Sequence, residues 1–166
     1  LAARFTNYSS SGYVTTWKAG ATYAINDEIS LRAVRSRDIR APNLSELFQT
    51  GSLNFSNVND PTNGNQSAFI TNPEPPNPNL KPEKADTITA GVIYQPNWLT
   101  GLQLSADFYN IKINQVISQL TPQAVVNSCF AGNVALCTLV HRDSTNTITE
   151  VDTPFINLSS FETRGL

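Results

Sequence analysis

No stretch of about 18 consecutive apolar residues occurs in this chain, so it holds no membrane-spanning helix. Charge is also scarce. Asp, Glu, Lys and Arg make up 14% of the 166 residues, against roughly 25% in ordinary domains. The formal net charge of −2 excludes a general attraction to nucleic acid or anionic surfaces. His141 is the only histidine. Beside Arg142 and Asp143 it offers acid–base chemistry or a solvated hairpin position, and the second reading is the plainer one. No nucleophile elbow and no phosphate-cradling glycine loop is present. The expectation is therefore no enzyme, no catalytic residue, no cofactor and no metal ligand set. Cysteine is limited to Cys129 and Cys137, eight positions apart in a polar segment. That spacing suits a local disulfide formed in an oxidising compartment. Two free thiols are the alternative, and a zinc site would need ligands beyond His141. No secretory signal stands at Leu1, and both ends read as strand, so an excerpt from a longer chain is expected.

Asn, Ser and Thr take the place of the missing charge. Polar faces built from amides and hydroxyls fit a water-filled interior, and equally a secreted β-protein. Alternation of period two runs through several segments. In residues 14–26, Trp17, Ala19, Ala21, Tyr23 and Ile25 share one parity; Thr16, Lys18, Gly20, Thr22 and Ala24 share the other. Residues 29–40 put Ile29, Leu31 and Ala33 on one face and Ser30, Arg32 and Val34 on the other, joined to the previous strand by a turn at Asn26-Asp27. Residues 86–95 and 102–112 repeat the pattern around a turn at 96–101, with Gln103, Ser105, Asp107 and Tyr109 on the polar side. Residues 2–8 and 155–166 complete about six strands. Residues 49–79 show no sustained periodicity and are expected to form a long irregular loop, extended at 73–78. Residues 113–154 form a second excursion. It is expected to hold a short helix after Thr121 and a hairpin made by residues 139–142 and 147–151.

Two stretches carry a family resemblance. Arg35-Ser36-Arg37-Asp38-Ile39-Arg40-Ala41-Pro42-Asn43-Leu44-Ser45-Glu46-Leu47 turns a strand charged, breaks it at Pro42 and offers Asn43 or Ser45 as a helix cap. Asn77-Pro78-Asn79-Leu80-Lys81-Pro82-Glu83 then leads into the next strand. In that order and spacing they resemble the strand-to-loop junctions of TonB-dependent outer-membrane receptors. The cysteine-paired segment 129–143 and the strand at 157–166 are similar to parts of the same family.

The resemblance implies an all-β fold: an antiparallel transmembrane β-barrel segment with long extracellular loops, part of a roughly 22-stranded barrel whose lumen is closed by a plug. Residues 1–166 then belong to one barrel domain, with the plug and the barrel C-terminus elsewhere. It implies an outer-membrane location and uptake of a scarce nutrient (iron chelate, vitamin or glycan) driven by the TonB complex. Lys18, Arg32, Asp107 and Tyr109 become candidate lumen contacts with plug or ligand. Trp17, Tyr23, Arg35 and Arg37 become candidate rim contacts with outer-membrane lipid or lipopolysaccharide. For the arginines, simple pairing with Asp38, Glu46 or Glu83 is the alternative. The competing architecture is a soluble secreted β-sandwich binding module held by one disulfide. The two differ in sidedness: a sandwich buries its apolar faces.

Overall fold

The computed structural model describes residues 1–9, 12–48, 53–158 and 160–166. Ser10 and Ser11, residues 49–52 of the expected long loop, and Ser159 of the expected last strand lie outside the described residues. The elements divide between two compact units. The first comprises Leu1–Pro42, Lys81–Val116 and Asn157–Leu166. Its strands are β1 (Ala2–Tyr8), β2 (Gly12–Ala24), β3 (Ile29–Arg40) and, from the later segments, those at Glu83–Tyr94, Leu104–Asn114 and Ser160–Gly165. The second comprises Asn43–Leu80 and Ile117–Ile156. It holds α1 (Leu44–Phe48), β4 (Leu53–Asp60), a 3-10 turn at Pro61–Asn63, and β5 (Gln66–Pro73). After the returning strands β6 (Glu83–Tyr94) and β7 (Leu104–Asn114) come β8 (Ile117–Gln119), α2 (Pro122–Phe130), α3 (Val134–Cys137), β9 (Val140–Arg142), β10 (Ile148–Val151), β11 (Phe155–Asn157) and β12 (Ser160–Gly165).

The first unit is a six-stranded sheet in the order β1-β2-β3-β6-β7-β12, antiparallel throughout. Strands β2, β3, β6 and β7 run 11 to 13 residues, enough for a tilted strand to cross a bilayer, which takes about 9–11. The short connections are held by side-chain oxygens. Asn26 Oδ1 accepts from the main-chain N–H of Glu28 (3.0 Å) and Ile29 (2.7 Å), which closes the β2–β3 turn. The β6–β7 turn is tied back by the main-chain N–H of Asn97, which donates to Glu28 Oε1 at 2.9 Å.

The second unit has a four-stranded sheet, β4-β5-β10-β9, and a two-stranded ribbon, β11-β8. Thr121 caps α2 as expected: its side chain accepts from the Ala124 N–H, and Pro122 occupies the first turn, where no donor is missed. The β9–β10 hairpin forms as expected, with a register shift between Ile148 and Glu150. All nine buried hydrophobic side chains among the described residues lie in this unit. One cluster joins Val58, Ile70, Val125, Val126, Ile148 and Val151. The other joins Leu47, Leu80 and Ile117, with Phe155 packed against it.

Two expectations are corrected. The irregular loop at 49–79 contains the β4–β5 hairpin, paired from Leu53↔Pro73 to Asp60↔Gln66. Its alternation is hidden because the covered face carries polar residues: Ser56 Oγ donates to Asn72 Oδ1 at 3.1 Å, while Leu53, Phe55 and Phe69 sit on the exposed face. The last strand is not continuous. Phe155–Asn157 pairs with Ile117–Gln119, and the sheet strand starts only at Ser160. At the break, the Asn157 side chain takes main-chain bonds: Oδ1 accepts from Lys81 N, and Nδ2 donates to Lys81 O and Gln115 O, all at 2.8 to 2.9 Å.

Candidate functional site: the two faces of the six-stranded sheet

Register decides which side chains meet. On one face, successive rows across β2, β3, β6 and β7 read Tyr23, Leu31, Val92, Ala106 and then Ala21, Ala33, Ala90, Phe108. Ile29, Tyr94 and Leu104 form the row beyond the first of these. These apolar groups are not covered by other protein. Tyr23 is 69% exposed, Leu104 53%, and Leu31 and Phe108 43% each. No residue of the sheet belongs to a buried hydrophobic cluster. A contiguous exposed apolar surface of this kind marks contact with another protein or with a membrane.

The opposite face is mostly polar, with glycines beneath its larger side chains. One row reads Thr22, Arg32, Gly91, Asp107. Arg32 and Asp107 lie on strands separated by β6, and they reach each other over Gly91. Arg32 Nε donates to Asp107 Oδ1 at 2.7 Å, and Nη2 donates to Asp107 Oδ2. A Cβ at position 91 would stand 2.0 Å from Asp107 Oδ1 and 2.9 Å from the Ala106 carbonyl oxygen, so only glycine leaves the carboxylate its place. The next row reads Gly20, Val34, Thr89, Tyr109, Gly165. Tyr109 lies over Gly165, where an added Cβ would meet its ring at 2.7 to 2.9 Å. The row after that holds Lys18, Ser36, Thr87, Ile111 and Thr163. Arg32, Asp107 and Tyr109 therefore gather on neighbouring rows, while Lys18 stands apart from Arg32 on the same face. At the far end Arg40 grips Glu83 through two bonds of 2.9 and 2.8 Å.

The apolar face changes character toward that same end. Trp17, Arg37, Asp86, Lys112 and Glu162 form one register row across five strands. Arg37 binds Asp86 through Nε (2.7 Å) and Nη2 (3.0 Å). Arg35, one row nearer the apolar band, stands opposite Ile88 and is exposed. Of the pairings expected for the arginines, Arg40–Glu83 forms; Arg37 takes Asp86 instead of Asp38. Asp38 accepts from Ser36.

A sequence model described as TonB dependent receptor-like, beta-barrel matches residues 1–165. The chain belongs to that family. Among solved structures, the siderophore receptor PirA from Acinetobacter baumannii superposes with a TM-score of 0.66 at 19% identity, covering 98% of this chain and 21% of that one. PirA from Pseudomonas aeruginosa gives 0.62 at 14%, covering 98% and 26%. A variant of the ferric enterobactin receptor PfeA from Pseudomonas aeruginosa, in complex with enterobactin, gives 0.67 at 17%, covering 98% and 20%. At these identities the likeness is one of fold. This receptor segment spans about a fifth to a quarter of those chains, and its six strands do not close a barrel: β1 and β12 are its two edges. No curated protein sequence matches it.

The receptor motifs now have a physical content. Asn43 and Glu46 form a capping box: Asn43 N–H donates to Glu46 Oε2 at 2.8 Å, and Glu46 N–H donates to Asn43 Oδ1 at 2.7 Å. Leu47, from the first motif, and Leu80, from the second, are buried in the same cluster. Asn77 Nδ2 donates to the Phe155 carbonyl at 2.8 Å. In the second unit Cys129 and Cys137 are bonded, with Cα atoms 4.6 Å apart, joining α2 to α3. Sequence reasoning missed Gly91, although a glycine inside a strand on the polar parity was the available signal. It also missed the pair Asp60–Arg142, which no local signal could reveal across 82 residues.

Proposed function

We propose that this chain is part of an outer-membrane receptor that binds an iron chelate at its outer connections and imports it with energy from the TonB complex. The observation that carries the reading is sidedness. One face of the six-stranded sheet is apolar and uncovered; the other is polar. Hydrocarbon covers the first, and a wet lumen accommodates the second. The iron-chelate class is drawn from the relatives, one a siderophore receptor and one a ferric enterobactin receptor. On this reading the protein is a transporter and not an enzyme. The long connections lie outside, and coupling to TonB runs through a plug supplied elsewhere in the receptor. Arg32, Asp107, Tyr109 and Lys18 face the plug or the passing ligand. Arg35 meets lipid headgroups or lipopolysaccharide beside Trp17, while Arg37 is already neutralised by Asp86. The secreted β-sandwich is disfavoured, because none of the described residues packs on the apolar rows.

Two measurements test this in the intact receptor. An arginine at mid-bilayer on a lipid-facing position costs about 2–4 kcal/mol. Ala90→Arg, in the middle of the apolar rows, therefore reduces the folded, heat-modifiable barrel recovered from outer membranes, while Thr89→Arg, on the polar face one residue away, does not. Equal recovery of the two variants removes the membrane assignment. In iron-starved cells, uptake of radiolabelled ferric siderophores depends on the receptor and on TonB. Membrane insertion without uptake of any member of such a panel removes the cargo assignment alone.

A further inference from the structure

We propose that His141, Glu150 and Asp152 form a site for a first-row divalent cation on the exposed face of the four-stranded sheet. The site is independent of the transported cargo. It arises from register: Phe55, Thr71, Glu150 and His141 are successive cross-strand partners on β4, β5, β10 and β9. Glu150 and Asp152 flank Val151, which is fully buried, so the two carboxylates share the opposite, outward side. The donor atoms of the three residues all lie within 4.8 Å of one another. Ligands held at about 2.0–2.2 Å from a metal stand roughly 3–4 Å apart, so a small side-chain rotation closes the set. His141 Nε2 and Asp152 Oδ2 are already 3.1 Å apart.

Charge supports the same conclusion. With the imidazole neutral, two carboxylates at this spacing carry a charge of −2. Among the described residues no Lys or Arg pairs with either of them. Arg142, the nearest arginine in sequence, is committed through both terminal nitrogens to Asp60. A divalent cation cancels the repulsion. The surroundings also hold the ligands in place. Thr71 Oγ1 donates to Glu150 Oε2 at 3.0 Å, the kind of outer hydrogen bond that orients a ligating carboxylate. His141 projects from a strand with nearly half its side chain exposed, leaving coordination positions open on the solvent side. One imidazole and two carboxylates suit Zn2+, Mn2+ or Fe2+ and disfavour a soft thiophilic ion.

The test uses the intact receptor in detergent, stripped with chelator and titrated with Zn2+ alone by equilibrium dialysis with metal analysis. His141→Ala lowers the stoichiometry by one Zn2+ per chain. Glu150→Gln and Asp152→Asn each weaken that equivalent by at least about tenfold. Glu74→Gln, an acidic residue of the same unit outside the cluster, leaves it intact. Heat-modifiability on gels confirms that every variant is folded. Co2+ substitution adds a second readout: the visible absorption of the bound ion changes on His141→Ala. Unchanged stoichiometry and affinity in all three variants, or equal weakening by Glu74→Gln, overturns the site.

Discussion

Asp60 offers the sharpest test of how the second unit is held together. It is the last residue of β4 and is 2% exposed. Arg142 clamps it from β9: Nη1 donates to Oδ2 at 2.5 Å and Nη2 to Oδ1 at 2.9 Å. Thr62 adds its N–H at 3.1 Å and its hydroxyl at 2.7 Å. The pair thus links the two outermost strands of the sheet and caps the turn that closes the β4–β5 hairpin. Asp60→Asn keeps the shape and the Thr62 bonds but leaves the guanidinium facing a neutral amide. Removing one partner of a buried pair costs about 3–5 kcal/mol; because Arg142 is partly exposed and can reach water, about 2–3 kcal/mol is expected here. That loss appears as local opening, since the six-stranded sheet does not use the pair. Amides at 54–72 in the intact receptor should exchange roughly 30- to 150-fold faster at neutral pH. The pH dependence has a definite sign. The Arg142 hydrogen bonds hold the Asp60 carboxyl well below the usual carboxylate range, outweighing the opposing effect of burial. Its stabilisation is complete above the unfolded value near 4 and is lost as pH falls from there toward the lower folded value. Corrected for intrinsic rates, wild-type protection at 54–72 is flat from pH 8 to 5 and declines below about 4; Asp60→Asn lacks that decline. Identical exchange in the variant and the wild type at neutral pH would refute the reasoning.

Gly91→Ala should lower the thermal midpoint of the intact barrel more than Gly20→Ala, because an added Cβ at 20 meets Val34 at a milder 3.2 Å. Adding Asp107→Ala to Gly91→Ala should recover part of the loss, since the nearer of the two clashes is with Asp107; strict additivity in differential scanning calorimetry would count against that contact. Replacing Cys129 and Cys137 together by serine opens a short loop worth about 2–3 kcal/mol, so exchange should accelerate across 122–139 and remain unchanged in β2, β3, β6 and β7. An effect spread evenly over the sheet would mean that the bond does more than hold α2 to α3.

Much of the six-stranded sheet was legible in the sequence. Its strands alternate with period two, and the apolar parity of residues 17–25 and 29–33 is uninterrupted because each side chain there meets one of only two environments. The Thr121 cap, the β9–β10 hairpin and an α1 cap at Asn43 or Ser45 were legible for the same reason: each depends on residues within a few positions of one another. The β4–β5 hairpin was not legible. Its covered face mixes the apolar Val58 and Ile70 with Ser56 and Asn72, which bond each other, and Asp60, which is held by Arg142 and Thr62, so hydrophobicity carries no clean period there. The break at Asn157 was equally hidden, because its cause is a set of main-chain groups 42 and 76 residues away.

Local order of residue types was enough to determine that strands form, which parity of each is apolar, and which family the junctions resemble. Partnership between distant residues was decided only in three dimensions. Arg32 meets Asp107 because an intervening strand presents a glycine to both, and His141 meets Glu150 and Asp152 because a hairpin places them side by side. Alternation depends on a residue's own neighbours along the chain, whereas register depends on how whole strands slide against one another, and that is settled by the folded sheet.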